Sequence, residues 1–292
     1  MSFSFDVKQE LNKNSKLVDK EVVKYELIGY LISRNIEMLD RNIIKYSTES
    51  DYNINRLSKL LDNLKIKHNI EITGKNFIIT FKKSSIENIV IIENKKIFMD
   101  PKILEQKNEN YLRAIIRGVF LGSGSINNPE KKYHLEIDFE NEKNMNYVIE
   151  ILRKLGINSK QMLIENKKSI YIKEGEEISK FLAVLEANKA VMKFEDIRVQ
   201  KEMRGKVNRL VNCKTANLNK TLNASIEQIA AIKKLKESGK FNKLSDNLKE
   251  IANLRIENPD MSLVELGKKL KVPVGKSGVN YRLKKIMEIA NE

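Results

Sequence analysis

The chain has 292 residues, 41% hydrophobic and 32% charged, a globular balance with room for two or three domains. No apolar run approaches the roughly 20 residues of a membrane span, and residues 1–11 lack an apolar export signal. The single cysteine, Cys213, excludes an internal disulfide framework and fits a reducing cytoplasm, while the formal net charge of +15 favours a polyanionic partner, most simply nucleic acid.

The positive charge is concentrated in the last third of the chain. From Lys193 onward there are 22 Lys and Arg against 12 Asp and Glu, a net charge of +10. The first 192 residues carry 32 against 27, a net charge of +5. Because lysine is frequent throughout, this distribution is more informative than the total.

The first hundred residues predict a helix, strands, a second helix and a hairpin. The predicted elements are a helix over Glu21–Arg34, strands over Ile36–Leu39 and Ile43–Ser47, a helix over Ile54–Leu64, a hairpin of Ile70–Ile72 with Phe77–Phe81, and an apolar segment from Ile86.

The same order returns about ninety residues later. The predicted elements are a helix over Tyr111–Leu121, strands over Ser125–Asn127 and Tyr133–Phe139, a helix over Asn144–Leu155, a hairpin of Met162–Ile164 with Ser169–Ile172 about Asn166 and Lys167, and a helix with Ile178, Phe181, Leu182 and Leu185. Gly118 follows Gly29 by 89 positions, and later features follow their counterparts by 91 or 92. This near-constant offset indicates two copies of one unit, the alternative being chance recurrence of a common alternation.

A basic connector follows the second copy. Met192–Lys220 is predicted to be helical, and from Arg198 to Lys220 it has seven basic residues and one acid, Glu202. Two interpretations stay open: a solvated linker helix, or a second phosphate-contacting surface. The candidate phosphate contacts are Arg198, Lys201, Arg204, Lys206 and Arg209. A further helix over Ala224–Glu237, ending at Gly239, is predicted to lead into the last module.

The last stretch has the pattern of a helix-turn-helix. Ser262 and Glu265 form a capping box ahead of a short helix with Leu263, Leu266 and Leu270. Lys271–Gly275 contains Pro273 and predicts a turn. The predicted elements around it are a preceding helix over Ser245–Glu257 that ends at Asn258 and Pro259 and contributes Leu248, Ile251 and Leu254, and a second helix from about Ser277 that buries Val279, Leu283, Ile286 and Ala290. The alternative is an ordinary small helical bundle with a solvated basic face.

The second helix supplies most of the candidate DNA-binding residues. Asn280 is predicted to bond to a base edge, since an amide can pair with adenine in two ways. Ser277 and Tyr281 are predicted to contact base or phosphate. Ser262, at the start of the short helix before the turn, is a further candidate DNA-binding residue. The predicted phosphate ligands are Lys276, Arg282, Lys284 and Lys285.

Three stretches together resemble the WhiA family. They are Arg117–Pro129 with Tyr133–Ile137; Asn208–Asn217; and the C-terminal pieces Leu254–Arg255, Asn258–Pro259, Ser262–Leu263, Glu265–Gly267 and Lys276–Asn280. The resemblance spans nearly the whole chain. It implies an α+β fold of two tandem LAGLIDADG homing-endonuclease-like repeats followed by an all-α helix-turn-helix domain, with expected limits of 1–105, 106–195, 196–224 and 225–292.

The resemblance also implies a function. Its members are bacterial transcription regulators tied to sporulation, or to cell division and chromosome segregation, and they are found on the nucleoid. The expected partner is double-stranded DNA, with a second transcription or division protein in addition. An alternative is a protein-interaction platform with weak, non-specific DNA binding, and a less favoured one is RNA binding, because few aromatics interleave with the basic stretches. No membrane, cofactor, metal or small-molecule substrate is expected.

Catalysis is not expected. Homing endonucleases carry one metal-binding acid per repeat, at the next-to-last position of the motif helix, and this chain has Arg34 and Ser123 there. Gly122–Asn127 begins like a dinucleotide fingerprint but lacks the third glycine, so a role in close helix packing is favoured. No spacing supports a catalytic set from His68, His134 and Cys213.

Overall fold

The computed structural model describes residues 2–14, 17–40, 42–165 and 167–292. The chain divides into two compact units, one ending at Lys201 and the other formed by Glu202–Glu292. Each unit is described by itself below. None of the described helices is both long and apolar enough to cross a bilayer.

The first unit begins with a helix and then builds a four-stranded antiparallel sheet. The elements are α1 (Phe3–Asn14), α2 (Lys20–Leu31), β1 (Ile36–Asp40), β2 (Ile43–Thr48), α3 (Asp51–Asn63), β3 (His68–Thr73), β4 (Asn76–Lys82), β5 (Ile91–Glu93) and β6 (Lys96–Phe98). The strand order is β1-β2-β4-β3, and β5 pairs with β6 as a separate hairpin.

The second half of this unit repeats the arrangement. Its elements are α4 (Glu109–Ser123), β7 (Gly124–Ile126), β8 (Leu135–Phe139), α5 (Glu142–Lys154), β9 (Lys160–Ile164), β10 (Lys167–Ile172) and α6 (Gly175–Val184). The strand order β7-β8-β10-β9 matches that of the first sheet, strand for strand. The predicted duplication is therefore confirmed. Asn166, predicted to lie in the turn between β9 and β10, is outside the described residues.

The two copies differ at their ends. Where the second copy has α6, the first has a short turn and the β5–β6 hairpin after Ile86. Helix α1 was missed from the sequence, where the N-terminus was considered only as an export signal. Phe3, Val7 and Leu11 are buried at a spacing of four residues, so α1 covers the core with one amphipathic face.

Helices α2 and α4 pack against each other at two glycines, one from each copy. A Cβ atom on Gly29 would collide with the backbone of Ile115 and Val119. A Cβ on Gly118 would collide with the carbonyl oxygen of Glu26 and stand 3.0 Å from the Cα of Gly29. Only glycine permits this approach, so the glycine pair sets the distance between the two repeats.

A buried ion network crosses the same helix pair. Arg56 of α3 donates to both carboxylate oxygens of Glu26, at 2.7 and 2.8 Å. Arg117 of α4 lies 3.4 Å from the Glu26 carboxylate and 2.9 Å from that of Glu186. Glu26 is 0% exposed. Removing one partner of such a network costs about 3–5 kcal/mol, because a charge is left buried and unpaired.

The second unit is helical. Helix α7 spans Asn188–Glu237, and the following elements are a 3-10 turn (Lys240–Lys243), α8 (Asp246–Glu257), α9 (Leu263–Lys269) and α10 (Lys276–Asn291). The predicted connector and the predicted helix over Ala224–Glu237 were wrongly separated, because nothing between Lys220 and Ala224 breaks the helix. Since α7 crosses the expected limits at 195/196 and 224/225, the four-part division stays a prediction.

The core of the second unit contains the expected side chains. Leu248 and Ile251 of α8, Leu266 and Leu270, and the α10 residues Val279, Leu283, Ile286 and Ala290 are all buried together. Leu254 and Leu263 pack against this core while staying partly exposed. Ile232 and Leu235 from the end of α7 complete it.

Replacing Gly118 by alanine should destabilise the first unit by about 1–3 kcal/mol, because the added methyl group overpacks α2 against α4. Tyrosine fluorescence during urea unfolding measures this, since eight of the nine tyrosines precede Lys201. Gly205→Ala is the control: its Cβ would lie 3.5 Å from the Arg209 guanidinium, and the tyrosine transition should not move. An unchanged transition in Gly118→Ala would contradict the close packing.

Candidate nucleic-acid interface

Helix α9 begins at the predicted capping box. The Glu265 backbone N–H donates to Ser262 Oγ at 3.3 Å, and the Ser262 N–H donates to the Glu265 carboxylate at 2.8 Å. These bonds hold the pKa of Glu265 below its ordinary value. The Ser262 hydroxyl thus caps the helix through its oxygen while its proton stays available to an outside acceptor.

The turn between α9 and α10 depends on Gly267. A Cβ there would collide with the carbonyl oxygen of Val274, and the Val274 N–H donates to the Gly267 carbonyl at 3.2 Å. The turn is also tied to α8, since the Lys271 N–H donates to the Glu250 carboxylate at 2.7 Å. These contacts fix where α10 starts.

Arg255 is a structural residue that the sequence analysis missed. Its side chain is 1% exposed, and its Nη1 donates to the carbonyl oxygens of Met261 at 2.7 Å and Pro259 at 3.4 Å. Burial lowers the pKa of Arg255. The only sequence signal was an arginine within the apolar pattern of α8, which resembles an ordinary surface charge. Arg255 holds the α8–α9 loop.

Helix α10 brings most of the candidate DNA-binding residues to one exposed face. Ser277, Asn280, Tyr281 and Lys284 are exposed at helical spacing, opposite the buried residues. Lys276 and Lys285 are exposed beside them, and Arg282 is half-buried. The first turn has no acid, and Gly275 at the N-cap contributes no side-chain bond, so the positive end of the helix is open to an anion.

The candidate phosphate contacts of α7 differ in their local partners. Arg198 pairs with Glu195 at 2.9 Å, and Lys201 donates to the Lys131 carbonyl at 3.1 Å. Lys206 pairs with Glu202 at 2.8 Å. Arg204 and Arg209 are exposed. Arg198 and Lys201 belong to the first unit, whereas Arg204, Lys206 and Arg209 belong to the second.

The first unit holds Arg34 and Ser123, the positions at which the family resemblance leads one to expect the nuclease acids. Arg34, after α2, lies 3.4 Å from the Asp138 carboxylate. Ser123, at the end of α4, donates to the Asp138 backbone carbonyl at 2.6 Å. A guanidinium, a hydroxyl already bonded and one carboxylate paired to a cation are a poor donor set for a divalent metal.

Two lysine side chains also lie near Ser123 and Asp138. Lys8 of α1 donates to the Leu121 carbonyl at 3.3 Å, and burial lowers its pKa to about 8. Lys167 pairs with Glu136 at 2.6 Å on the strand face beside Asp138. Burial alone would raise the pKa of Glu136, but hydrogen bonds led by the one from Lys167 lower it. Across the described residues, no group of three or more His, Cys, Asp or Glu side chains is placed to hold a metal.

The two histidines among the remaining catalytic candidates have local hydrogen-bond partners. His68 shares a 2.8 Å hydrogen bond with Ser58, and His134 lies 3.4 Å from the Glu136 carboxylate. Cys213 is exposed in the second unit. A Cβ on Gly122 would stand 2.5 Å from Ser33 Oγ, which agrees with the predicted packing role of this glycine-rich stretch.

Two tandem repeats pack through a pair of glycine-lined helices, and a helix-turn-helix unit follows them. These features define the class of protein: a LAGLIDADG-like core with a helix-turn-helix domain of the DNA-binding kind. Residues 112–204 match the family model described as the WhiA LAGLIDADG-like domain, and residues 207–290 match the WhiA C-terminal HTH domain. The chain belongs to the WhiA family.

Curated relatives support this over the full length. The chain is 39% identical to the probable cell division protein WhiA of Clostridium tetani and 37% identical to that of Clostridium beijerinckii, covering 100% of this chain and 98% of each relative.

Solved structures agree with the fold. Full-length DUF199/WhiA from Thermotoga maritima is 30% identical with a TM-score of 0.61, over 100% of this chain and 98% of that one. The N-terminal LAGLIDADG domain of DUF199/WhiA is 28% identical with a TM-score of 0.53, over 63% and 92%.

Ser262→Ala should destabilise α9 by about 1 kcal/mol, because the cap on the Glu265 N–H is lost. Hydrogen exchange at Glu265–Leu270 measures the loss, and Ser262→Asp, which keeps an acceptor, should restore protection. If Ser262→Ala weakens DNA binding while exchange is unchanged, Ser262 contacts DNA directly and its role as a cap is minor.

Proposed function

We propose that the protein is a DNA-binding regulator of cell division whose LAGLIDADG-like core has no nuclease activity. The observation that carries the proposal is the open basic face of α10, presented by a helix-turn-helix whose turn is fixed by Gly267. The relatives named cell division proteins supply the cellular process. Roles in sporulation-type development and chromosome segregation, and a place on the nucleoid, are finer parts of the proposal that rest on the family resemblance.

In this proposal α10 enters the major groove of duplex DNA with its first turns toward the bases. Asn280 contacts a base edge, with Ser277 and Tyr281 beside it. The phosphate contacts are Lys276, Arg282, Lys284 and Lys285. In the described chain none of these four cations is ion-paired, so their charges are available to the DNA backbone.

The contacts within the first unit support the loss of catalysis. Two-metal cleavage requires carboxylates that hold cations against the scissile phosphate. The Arg34 guanidinium repels a cation at the first position, and at the second the Ser123 hydroxyl is bonded to the Asp138 backbone. Lys8 adds a further amine beside the end of α4. The shape of the nuclease is retained while the metal ligands are replaced.

Two substitutions on α10 should distinguish contacts to the DNA bases from contacts to the DNA phosphates. Asn280→Ala should flatten the preference for the target site, whereas Lys284→Ala should weaken all sequences alike. With four phosphates neutralised, log affinity should fall with log salt at a slope of about −3.6, and Lys284→Ala should reduce this by about 0.9.

The measurement is fluorescence anisotropy with the target duplex and a shuffled duplex over a salt series. Lys243→Ala, an exposed lysine outside α10, is the matched control and should change neither the preference nor the slope. Identical effects of Asn280→Ala and Lys284→Ala would refute the division of roles.

Supercoiled plasmid incubated with the purified protein and magnesium or manganese should stay supercoiled, because neither motif position supplies a carboxylate. Gel electrophoresis over hours reads the outcome. Nicking that persists through stringent purification and disappears on substitution of one residue of this chain would show that the core is still an enzyme.

A further inference from the structure

The middle of α7 carries an apolar surface that is exposed. Over residues 203–218, five large hydrophobic side chains are more than half exposed: Met203 (62%), Val207 (58%), Leu210 (58%), Val211 (53%) and Leu218 (52%). Their helical spacing places them along one side of α7, which we call the open stripe. Single exposed hydrophobic residues are ordinary, but five on one side of a helix, with Lys214 between Val211 and Leu218, indicate a surface for a partner.

The open stripe continues into a face of α7 that already packs against protein. Ser225, Gln228, Ile232 and Leu235 follow Leu218 at helical spacing and are buried. Ile232 and Leu235 lie in the core of the second unit. The same side of one helix is thus covered at its C-terminal end and uncovered over residues 203–218.

The sequence of the uncovered segment is poorly suited to an isolated helix. Between Met203 and Lys220 it contains several residues of low helix propensity: Gly205, Asn208, Asn212, Thr215, Asn217 and Asn219. Nearly every side chain there is exposed. Since helices in proteins gain most of their stability from packing an apolar face, a partner on the open stripe would supply what the sequence lacks.

The positive charge of residues 203–220 distinguishes among the possible binding partners of the open stripe. Residues 203–220 carry five basic side chains and no acid. A second copy of α7 would therefore bring like charges together along the pairing. Helices that lie in a bilayer surface use aromatic anchors, and this segment has none. Duplex DNA would neutralise the charges and leave the apolar side chains in water. An amphipathic helix with acidic flanks satisfies both the charges and the stripe.

We propose that the open stripe of α7 docks an acidic amphipathic helix of a partner protein, side by side and with its apolar residues against Met203, Val207, Leu210, Val211 and Leu218. The proposal goes beyond DNA binding: it gives the second protein expected of such a regulator a surface and a chemistry. It does not depend on whether α10 binds DNA.

The test uses the full-length protein and a fluorescent synthetic helix of about 20 residues, long enough to be helical, with leucine at every third or fourth position and glutamate on the flanks. The acidic helix should bind at least about tenfold more tightly than a scrambled peptide of the same composition. Met203→Gln/Leu210→Gln, which keeps charge and helix propensity, should lower that affinity about tenfold. Ile72→Gln, which replaces a 69% exposed residue on β3, is the matched control and should not change it.

Cys213 gives a second, local readout. It is the one cysteine of the chain, is exposed, and follows Leu210 by three residues on α7. An environment-sensitive dye on Cys213 should shift to shorter wavelength when the acidic helix binds, and not when the scrambled peptide is added.

Three results would overturn the proposal. They are equal binding of the acidic and scrambled peptides, self-association in sedimentation velocity that the double substitution abolishes, and binding to anionic lipid vesicles in place of the peptide. Affinity for duplex DNA should be the same in the double variant as in the wild type. A wild-type protein that binds the acidic helix and ignores DNA would therefore count against the proposed function alone.

Discussion

The close approach of α2 and α4 at Gly29 and Gly118 is the constraint on which the first unit depends. With no side chain at either position, the two backbones touch, and each repeat places its sheet and its outer helices relative to that contact. Glu26, Arg56 and Arg117 are buried at the same place and satisfy one another. The geometry of the core is therefore set by packing and by buried charge, which separates it from Arg34 and Ser123, the positions at which the resemblance leads one to expect the nuclease acids. A LAGLIDADG-like fold can therefore be held together without carboxylates at those two positions.

The second unit shows the same separation between scaffold and function. Gly267, Arg255 and the Ser262–Glu265 box determine where α9 and α10 lie, whereas the exposed side chains of α10 are not part of that scaffold. A basic helix face alone would be ambiguous, since any solvated helix can carry lysines. It becomes a candidate interface because the turn before it is fixed and the first turn of the helix is open and free of acids.

Much of the fold could be predicted because the signals are local or repeated. The offset of 89 residues between Gly29 and Gly118 indicates the duplication, and the Ser262–Glu265 capping box predicts the start of a helix. The failures have physical reasons. Helix α1 buries only Phe3, Val7 and Leu11, a sparse apolar pattern that is a weak signal for a helix. Residues 188–237 form one helix because no glycine or proline interrupts the predicted gap at residues 221–223. Lys8 donates to a backbone carbonyl 113 residues away, and Arg255 folds back onto the carbonyls of the loop after its own helix; no spacing rule reveals either contact. The pairing of Arg34 with Asp138 joins residues 104 apart in the chain and required coordinates.

The ion network that crosses α2 and α4 is unequal between the two repeats, and this has a consequence for how the chain can assemble. At the offset of 89 residues, Glu26 corresponds to Ile115 and Arg117 corresponds to Ile28. If two first repeats paired, Glu26 would keep Arg56 but lose Arg117, and if two second repeats paired, Arg117 would keep Glu186 but lose Glu26. The contact between Arg117 and Glu26 therefore favours pairing of a first repeat with a second repeat over pairing of two like repeats. In a duplicated fold, two like repeats could pair in place of two unlike ones, and this asymmetric ion pair disfavours that pairing.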